Sequence, residues 1–309
     1  MIVDLPDTTI SGVSKALVNI REEGGAVALG RVLTLIISTT SAKTAEEAIE
    51  AANDASREHP MRLIVVEAEP EAKTPGLDAE IRVGGDAGAS EVVVLRARGE
   101  LARNEESLVT GLLLPDAPVV VWWPGEAPAV PSESPLGRIA QRRLTDIAAG
   151  NDPMNALRAM KQSYRPGDGD FSWTRLTLWR GQLAAVLDQP PYEPVTGAEV
   201  WGALDSPTTV LMAAWLSLQL QVSAECHLDP GEAQLGGIRK IQLDRPSGPV
   251  ILDRDEPSTA RLSQAGQPEH RIALPRRSLR DCLADELRKL GPDQVFGRVL
   301  LDGLELVGY

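Results

Sequence analysis

The sequence predicts an α/β protein. We expect an N-terminal domain built on a mostly parallel sheet with flanking helices, and a C-terminal α+β domain with an antiparallel meander. Strand-like apolar runs alternate with helical patterns through the first half of the chain, the order that builds parallel sheets. Several runs show no polar alternation, which is typical of strands covered on both faces. Beyond the linker-like "YRPGDGD" (164–170), short alternating strands take over. The predicted domains are therefore 1–165 and 166–309.

The N-terminal domain begins with a helix. In "TTISGVSKALVNIREEGG" the residues Ile10, Val13, Leu17 and Ile20 share one helical face, and Gly-Gly is a helix stop. The elements predicted after it are, in order, a strand (30–39), a helix (41–59), three strands (62–68, 79–83 and 91–98), a helix (99–113) and a strand (119–123).

The glycine-rich "VGGDAGAS" (83–90) invites comparison with a phosphate-binding loop. Such a loop must open a helix, so that the helix N-terminus faces the phosphate. This segment lies between two predicted strands, and no Gly-Lys-Ser/Thr follows it. We therefore expect a loop or hairpin turn, with no cofactor-binding residue.

The predicted C-terminal domain opens with two helices (171–187 and 207–222). The second is strongly apolar, but it is shorter than a bilayer span and carries Thr, Ser and Gln, so we predict a buried core helix. The remaining predicted elements are four strands (within 237–245, 248–255, 259–266 and 269–276) and an amphipathic helix (277–291).

Composition narrows the class of partner. The chain has 31 Lys and Arg against 44 Asp and Glu, a net charge of −13. Nucleic acids and anionic membranes need a basic footprint on the protein, so we expect neither as a partner. Two cysteines form no disulfide framework, and the first residues lack the basic and apolar regions of a signal peptide. We expect a cytoplasmic protein.

No catalytic or metal site assembles from the sequence. There is no Gly-x-Ser-x-Gly motif and no cysteine with a catalytic signature. Cys226-His227 is an adjacent pair without a second pair, a weak metal signal. The carboxylates of "DRDE" (253–256) fall on a predicted hairpin turn, where they are ordinarily solvated. We expect a protein that is not an enzyme, with no catalytic residue, cofactor or metal.

Two tryptophan-rich segments are the strongest candidates for a protein-binding surface. In "VVVWW" neighbouring side chains point to opposite faces of the strand. Either both tryptophans are core, or one emerges at the strand end toward a partner. In "DFSWTRLTLWRGQLAAVLDQPP" (170–191) two tryptophans share an apolar helical face that also contains an arginine. That face is either core with an arginine reaching water, or a binding surface of hot-spot residue types. The candidate partner-binding residues are Trp122, Trp123, Trp173, Arg175, Trp179 and Arg180.

Three motifs occur in order along the chain: "REHPMRLIVV" (57–66), "LLLPDAPVVVWWPGEAP" (112–128) and "FSWTRLTLWRGQLAAVLD" (171–188). Together they resemble the glucose-6-phosphate dehydrogenase assembly protein family, OpcA, over almost the whole chain. The resemblance implies a non-catalytic helper of actinobacteria and cyanobacteria. Such a helper binds the first enzyme of the oxidative pentose phosphate pathway and promotes its assembly and activity.

Two features depart from the family pattern. The segment "GRIAQRRLTDIAAG" (137–150) is more polar than the sheet strand expected there, and we assign it none. Cys226 and Cys282 do not match the cysteines associated with thiol control in some photosynthetic members. The resemblance therefore does not imply redox control of this chain.

On this basis we expect an assembly factor and allosteric activator whose partner is glucose-6-phosphate dehydrogenase. The alternative is an α/β enzyme or metabolite sensor acting on a sugar phosphate or nucleotide. Its candidate polar groups are Arg175, Arg180, His59 and His227.

Overall fold

The computed structural model describes residues 1–23, 32–84, 91–230 and 237–309. The chain forms two compact units, each assembled from three segments. The first unit comprises Met1–Thr145, Gly167–Gly169 and Leu279–Pro292. The second comprises Asp146–Pro166, Asp170–Ser278 and Asp293–Tyr309. The single domain boundary after residue 165 stays a prediction.

The first unit is built on an eight-stranded sheet that is mostly parallel. Its strands are β1 (Ile2–Leu5), β2 (Leu33–Thr39), β3 (Met61–Glu69), β4 (Gly76–Arg82), β5 (Glu91–Arg98), β6 (Val119–Trp123), β7 (Arg142–Thr145) and β8 (Asp168–Asp170). They lie in the order β1-β4-β5-β3-β2-β6-β7-β8. Neighbours from β5 through β7 run parallel, while β1 and β4 form an antiparallel edge. The predicted α/β class is confirmed.

Helices cover this sheet because its central strands are apolar on both faces. The helices of the unit are α1 (Ile10–Glu23), α2 (Ala42–Ala55), α3 (Glu105–Thr110), α4 (Pro135–Ile139) and α9 (Leu279–Arg288). Every residue of β6 and the first six of β2 are buried. Val13 and Leu17, on the predicted apolar face of α1, belong to one of the unit's buried clusters.

Two segments of this unit differ in detail from what the sequence indicates. The helix predicted over 99–113 is a 3-10 turn, Gly99–Arg103, followed by the short α3. Asn104 separates them because its side chain accepts a hydrogen bond from the Ser107 amide and caps α3. The segment 137–150 contains β7, a parallel neighbour of β6. The Gly-Gly stop after α1 and residues 85–90 of "VGGDAGAS" lie outside the described residues.

The second unit combines helices with a six-stranded sheet. Its helices are α5 (Pro153–Ser163), α6 (Phe171–Thr174), α7 (Thr177–Leu187), α8 (Pro207–Leu220), α10 (Gln294–Arg298) and α11 (Leu304–Leu306), with a π-helical turn at Val299–Gly303. Its strands are β9 (Gly197–Ala203), β10 (Ala224–Asp229), β11 (Ile238–Asp244), β12 (Val250–Glu256), β13 (Thr259–Ser263) and β14 (His270–Ala273). They lie in the order β10-β9-β11-β12-β13-β14. The predicted meander β11–β14 is confirmed as antiparallel, and a parallel β9–β10 pair extends it.

The apolar helix α8 forms the centre of the second unit, as its sequence predicts. Ser206 caps it by accepting a hydrogen bond from the Thr209 amide, and ten of its fourteen residues are buried. Val210, Leu211 and Leu216 pack in a cluster with residues from α7 and the sheet. No helix in the described part of the chain is long and apolar enough to cross a bilayer.

Candidate functional site

Trp122 and Trp123 are both core residues of the first unit, with 0% and 2% of their surfaces exposed. Parallel strands flank β6 on both sides, so its entire length is interior. Trp123 shares a buried cluster with Val121 and Leu136. The interpretation in which one tryptophan emerges toward a partner is therefore wrong for this structure.

The other four candidate residues lie together in the second unit. The guanidinium of Arg180 stands 3.7 Å from the centre of the Trp173 ring, a cation–π contact. The Trp173 Nε1–H donates to Asp293 Oδ2 at 2.8 Å, and the ring stacks on Phe296. Trp173 and Trp179 are buried, whereas Arg175 and Arg180 remain partly exposed.

Arg175 is tied to Asp146 by two parallel hydrogen bonds. Its Nη1 and Nη2 reach the two carboxylate oxygens at 2.6 and 2.7 Å. The Asp146 side chain is 1% exposed and that of Arg175 is 26% exposed. Planar guanidinium and carboxylate groups pair well in this arrangement, so Arg175 neutralises a buried charge.

Beside this pair lies a cavity of about 410 Å³ that belongs wholly to the second unit. Its walls include the Arg175–Asp146 pair, the ring of Trp179 and the start of α8 at Ser206 and Thr208. Further lining comes from Ala148, Ala149, Leu176, Asp205, Pro207, Gly237, Ile238, Arg254, Pro275, Arg276 and Arg277. A volume of this size suits a small organic ligand.

Arg254 is the most deeply buried cation of the cavity. It projects from β12, is 5% exposed, and its guanidinium lies 4.8 Å from the centre of the Trp179 ring. One nitrogen, Nη2, donates to the Leu274 carbonyl at 2.8 Å. Its buried Nε–H has no acceptor among the described residues. Burial, reinforced by the positive charge of Arg276, lowers the pKa of Arg254 to about 10.

The chemistry of the lining favours anion binding. It carries four arginines, two hydroxyl groups and the N-terminal turn of a fourteen-residue helix. Helix N-termini and arginine forks are the donors that hold phosphate and carboxylate groups in proteins.

His227 lies outside this cavity and does not pair with Cys226 as a metal ligand. Adjacent strand residues point to opposite faces, so the two side chains diverge. His227 Nε2 instead lies 2.9 Å from Glu199 Oε2, with Glu225 nearby. The ligand atoms of these three residues lie within 4.8 Å of one another. The ring of His227 also stacks on Trp201. Burial raises the pKa of Cys226 to about 11, so its thiol stays protonated near neutral pH.

The carboxyl end of the parallel sheet carries a different polar contact. The order of strands reverses at β2 and β6, the place where α/β proteins often bind ligands. Here Ser38 Oγ donates to Glu105 Oε1 at 2.6 Å. Only Thr40 and Ser41 separate β2 from α2, so the glycines of a dinucleotide-binding turn are missing.

Two family models match most of the chain. Residues 52–162 match the model described as the glucose-6-phosphate dehydrogenase subunit N-terminal domain. Residues 166–300 match the model of the corresponding C-terminal domain. The chain belongs to the OpcA family. The resemblance seen in the three sequence motifs is thereby confirmed.

The solved structures that are similar to this OpcA-family chain include three distant oxidoreductases. A UDP-N-acetylglucosamine 3-dehydrogenase from Acidithiobacillus ferrooxidans is 8% identical, with 89% of this chain and 96% of that one covered and a TM-score of 0.39. An oxidoreductase from Thermotoga maritima is 11% identical, with coverages of 87% and 94% and a TM-score of 0.41. One from Pseudomonas syringae is 9% identical, with coverages of 91% and 92% and a TM-score of 0.42. At these identities and TM-scores, the similarity gives no information about the activity of this chain. No curated protein matches the chain.

Sequence reasoning missed the residues that complete the cavity. Arg254 lies within "DRDE", which was assigned to a solvated turn; β12 instead extends to Glu256 and turns Arg254 inward. Asp146 sits in the polar segment to which no strand was assigned. The adjacent pair Arg276-Arg277, after Pro275, was a visible signal of local positive charge in an acidic chain.

Proposed function

We propose that this chain is a non-catalytic assembly factor and allosteric activator of glucose-6-phosphate dehydrogenase. It binds the enzyme in the cytoplasm and promotes its active oligomer, and thereby supports the oxidative pentose phosphate pathway in an actinobacterium. The observation that carries the proposal is the pair of family matches over residues 52–162 and 166–300. Both models are described as dehydrogenase subunit domains.

Activation requires a difference in affinity. A binding protein raises activity only if it binds the competent state of the enzyme more tightly than the incompetent state. We expect a higher kcat, a lower apparent KM for glucose 6-phosphate, or recovery of a tetramer, with no turnover by this chain alone.

The six candidate residues divide into three roles within this proposal. Arg175 and Arg180 are partly exposed and are the proposed direct contacts with the enzyme. Trp173 and Trp179 are buried in the same unit, so we propose that they support this binding surface from beneath, whereas Trp122 and Trp123 contribute only to the core of the first unit. Arg180 illustrates this arrangement, because the ring of Trp173 lies under its guanidinium.

The decisive experiment is a titration of this protein into the purified dehydrogenase of the same organism, followed by NADP reduction. Saturable activation together with co-elution on a sizing column is the expected result. A sample without dehydrogenase reports any turnover by the chain itself. No activation and no co-elution would overturn the proposal.

A matched pair of variants tests the surface. Arg180→Ala removes an arginine that lies over Trp173, and Arg158→Ala removes one that lies over Tyr309 in the same unit. We expect Arg180→Ala to weaken dehydrogenase binding about tenfold or more, as hot-spot arginines do, and Arg158→Ala to leave it unchanged. Equal affinities for both variants would remove Arg180 from the binding surface.

A further inference from the structure

The arginine-lined cavity of the second unit has a charge opposite to that of the chain. The whole protein carries a net charge of −13, whereas the cavity lining holds four arginines and only two aspartates. One of those aspartates, Asp146, is already neutralised by Arg175. This balance of charge in the lining favours a negatively charged ligand, because unlike charges attract each other at short range.

Arg254 is a buried arginine of this lining that has no carboxylate partner among the described residues. An arginine with 95% of its surface removed from water ordinarily has a carboxylate partner. Among the described residues Arg254 has none: one carbonyl accepts from Nη2, and the ring of Trp179 lies against the guanidinium. The positive charge of Arg276 acts on Arg254 and helps to lower its pKa. The buried Nε–H is therefore a donor without an acceptor.

The N-terminus of α8 lies at the same cavity. The first-turn amides of a helix have no acceptor within the helix, and the helix dipole favours negative charge there. Pro207 has no N–H, and the Thr209 amide donates to Ser206 Oγ. The Thr208 amide is therefore the first-turn donor that the Ser206 cap does not use. Thr208 is itself one of the residues that line the cavity.

We propose that this cavity binds the phosphate group of a small phosphorylated metabolite. Arg254 and the start of α8 hold the phosphoryl oxygens from inside, and Arg276 and Arg277 close over them from the rim. Trp179, Leu176 and Ile238 offer an apolar wall to the carbon skeleton. The site goes beyond the assembly role, because it gives this chain a ligand of its own.

The test uses the full chain without the dehydrogenase, so its outcome is independent of the assembly role. Thermal unfolding and calorimetry are measured with inorganic phosphate, glucose 6-phosphate and glucose as probes. A ligand at ten times its Kd should raise Tm by about 3 °C. We expect phosphate and glucose 6-phosphate to bind and glucose to have no effect. Tighter binding of the sugar phosphate than of free phosphate would identify a phosphomonoester as the ligand class, and equal affinities would identify phosphate itself.

Arg254→Met is the main variant, because methionine fills similar space without the charge. It should lower phosphate affinity at least tenfold while leaving the unliganded protein as stable as the natural chain or more so, since an unpaired buried charge is removed. Arg245→Met is the matched control, a buried arginine of the same unit that does not line the cavity. Arg276→Gln changes an exposed rim residue and serves if Arg254→Met does not fold.

Two outcomes would overturn the site. One is the absence of binding by either phosphate probe up to about 10 mM, a concentration at which even weak millimolar ligands are detected. Another is undiminished binding to both Arg254→Met and Arg276→Gln. If the first outcome is found, a separate titration with the dehydrogenase follows, in which a loss of affinity in Arg276→Gln would assign the cavity to an acidic group of the partner.

Discussion

Arg175 and Asp146 form a two-pronged ion pair in which the carboxylate is almost completely buried. Asp146 begins the first segment of the second unit, and Arg175 follows α6 in its next segment, so the pair joins two segments of that unit. It also forms one wall of the arginine-lined cavity.

Removal of Arg175 should be costly because it strands the charge of Asp146. We expect Arg175→Ala to lower the free energy of unfolding by about 3 kcal/mol, the lower end for a broken buried pair. Arg175→Lys keeps the charge but loses the planar fork, so its effect should be intermediate. Chemical denaturation measures both. The double variant Arg175→Gln, Asp146→Asn should cost less than the two single changes together. Strict additivity would contradict the coupling.

The paired tryptophans should contribute to stability and not to recognition. We expect Trp122→Ala and Trp123→Ala each to lower stability by about 3–5 kcal/mol, as truncation of large core side chains does. The milder Trp122→Phe and Trp123→Phe should bind the dehydrogenase with unchanged affinity at temperatures where they remain folded. Thermal melts and a binding titration give both quantities. A weakened complex with a normal melt would restore a direct role for these residues.

Glu105 should destabilise the first unit when it is ionised. Burial raises the pKa of Glu105, while the hydrogen bond from Ser38 lowers it less. The folded state therefore holds the proton more tightly than the unfolded chain. This contribution is fully present below the ordinary pKa of the carboxyl, and it is lost as pH rises through the folded-state value. Glu105→Gln keeps an acceptor for Ser38 and has no charge. It should gain stability relative to the natural chain at pH 7 but not at pH 4.

Thermal unfolding at the two pH values measures this difference for Glu105→Gln. Ser38→Ala is the informative companion, since it removes the bond that favours the charged carboxylate and should enlarge the pH effect. A gain for Glu105→Gln that is the same at both pH values would show that ionisation is not its cause.

Cys226 should be unreactive near neutral pH. With a pKa of about 11, its thiolate is scarce at pH 8. We therefore expect alkylation by iodoacetamide about 100-fold slower than for a free cysteine. The rate is measured in a Cys282→Ser background, and the denatured protein provides the reference. Rapid labelling of the folded chain at pH 8 would reopen thiol-based control at this position.

The sequence predicted the interior strands because their residues are apolar irrespective of any partner. Continuous apolar runs predict burial on both faces for β2, β3, β5 and β6. Alternation of apolar and polar residues predicts burial on one face for β11–β14. The single stripe of α1 was readable for the same reason.

Strand β7 was not predicted because its buried arginines are neutralised by acidic residues from other parts of the chain. Arg142 and Arg143 are buried, and they pair with Glu286 and Asp168, respectively. Glu286 lies 144 residues along the chain from Arg142. A local sequence pattern cannot predict that a polar side chain forms a buried ion pair with a residue so far along the chain.

By itself, the sequence determined the α/β class and the residues able to build two cores, since these depend on local composition and periodicity. Its three motifs carried the resemblance to the family. Tertiary structure alone decided that both adjacent tryptophans are interior, because only the neighbours of β6 reveal that it has no open face. It also decided that Arg254, Arg276 and Arg277 meet the start of α8 at one cavity. The physical reason is the same in each case. Burial and electrostatic environment belong to groups of residues that are distant in sequence and that folding brings together.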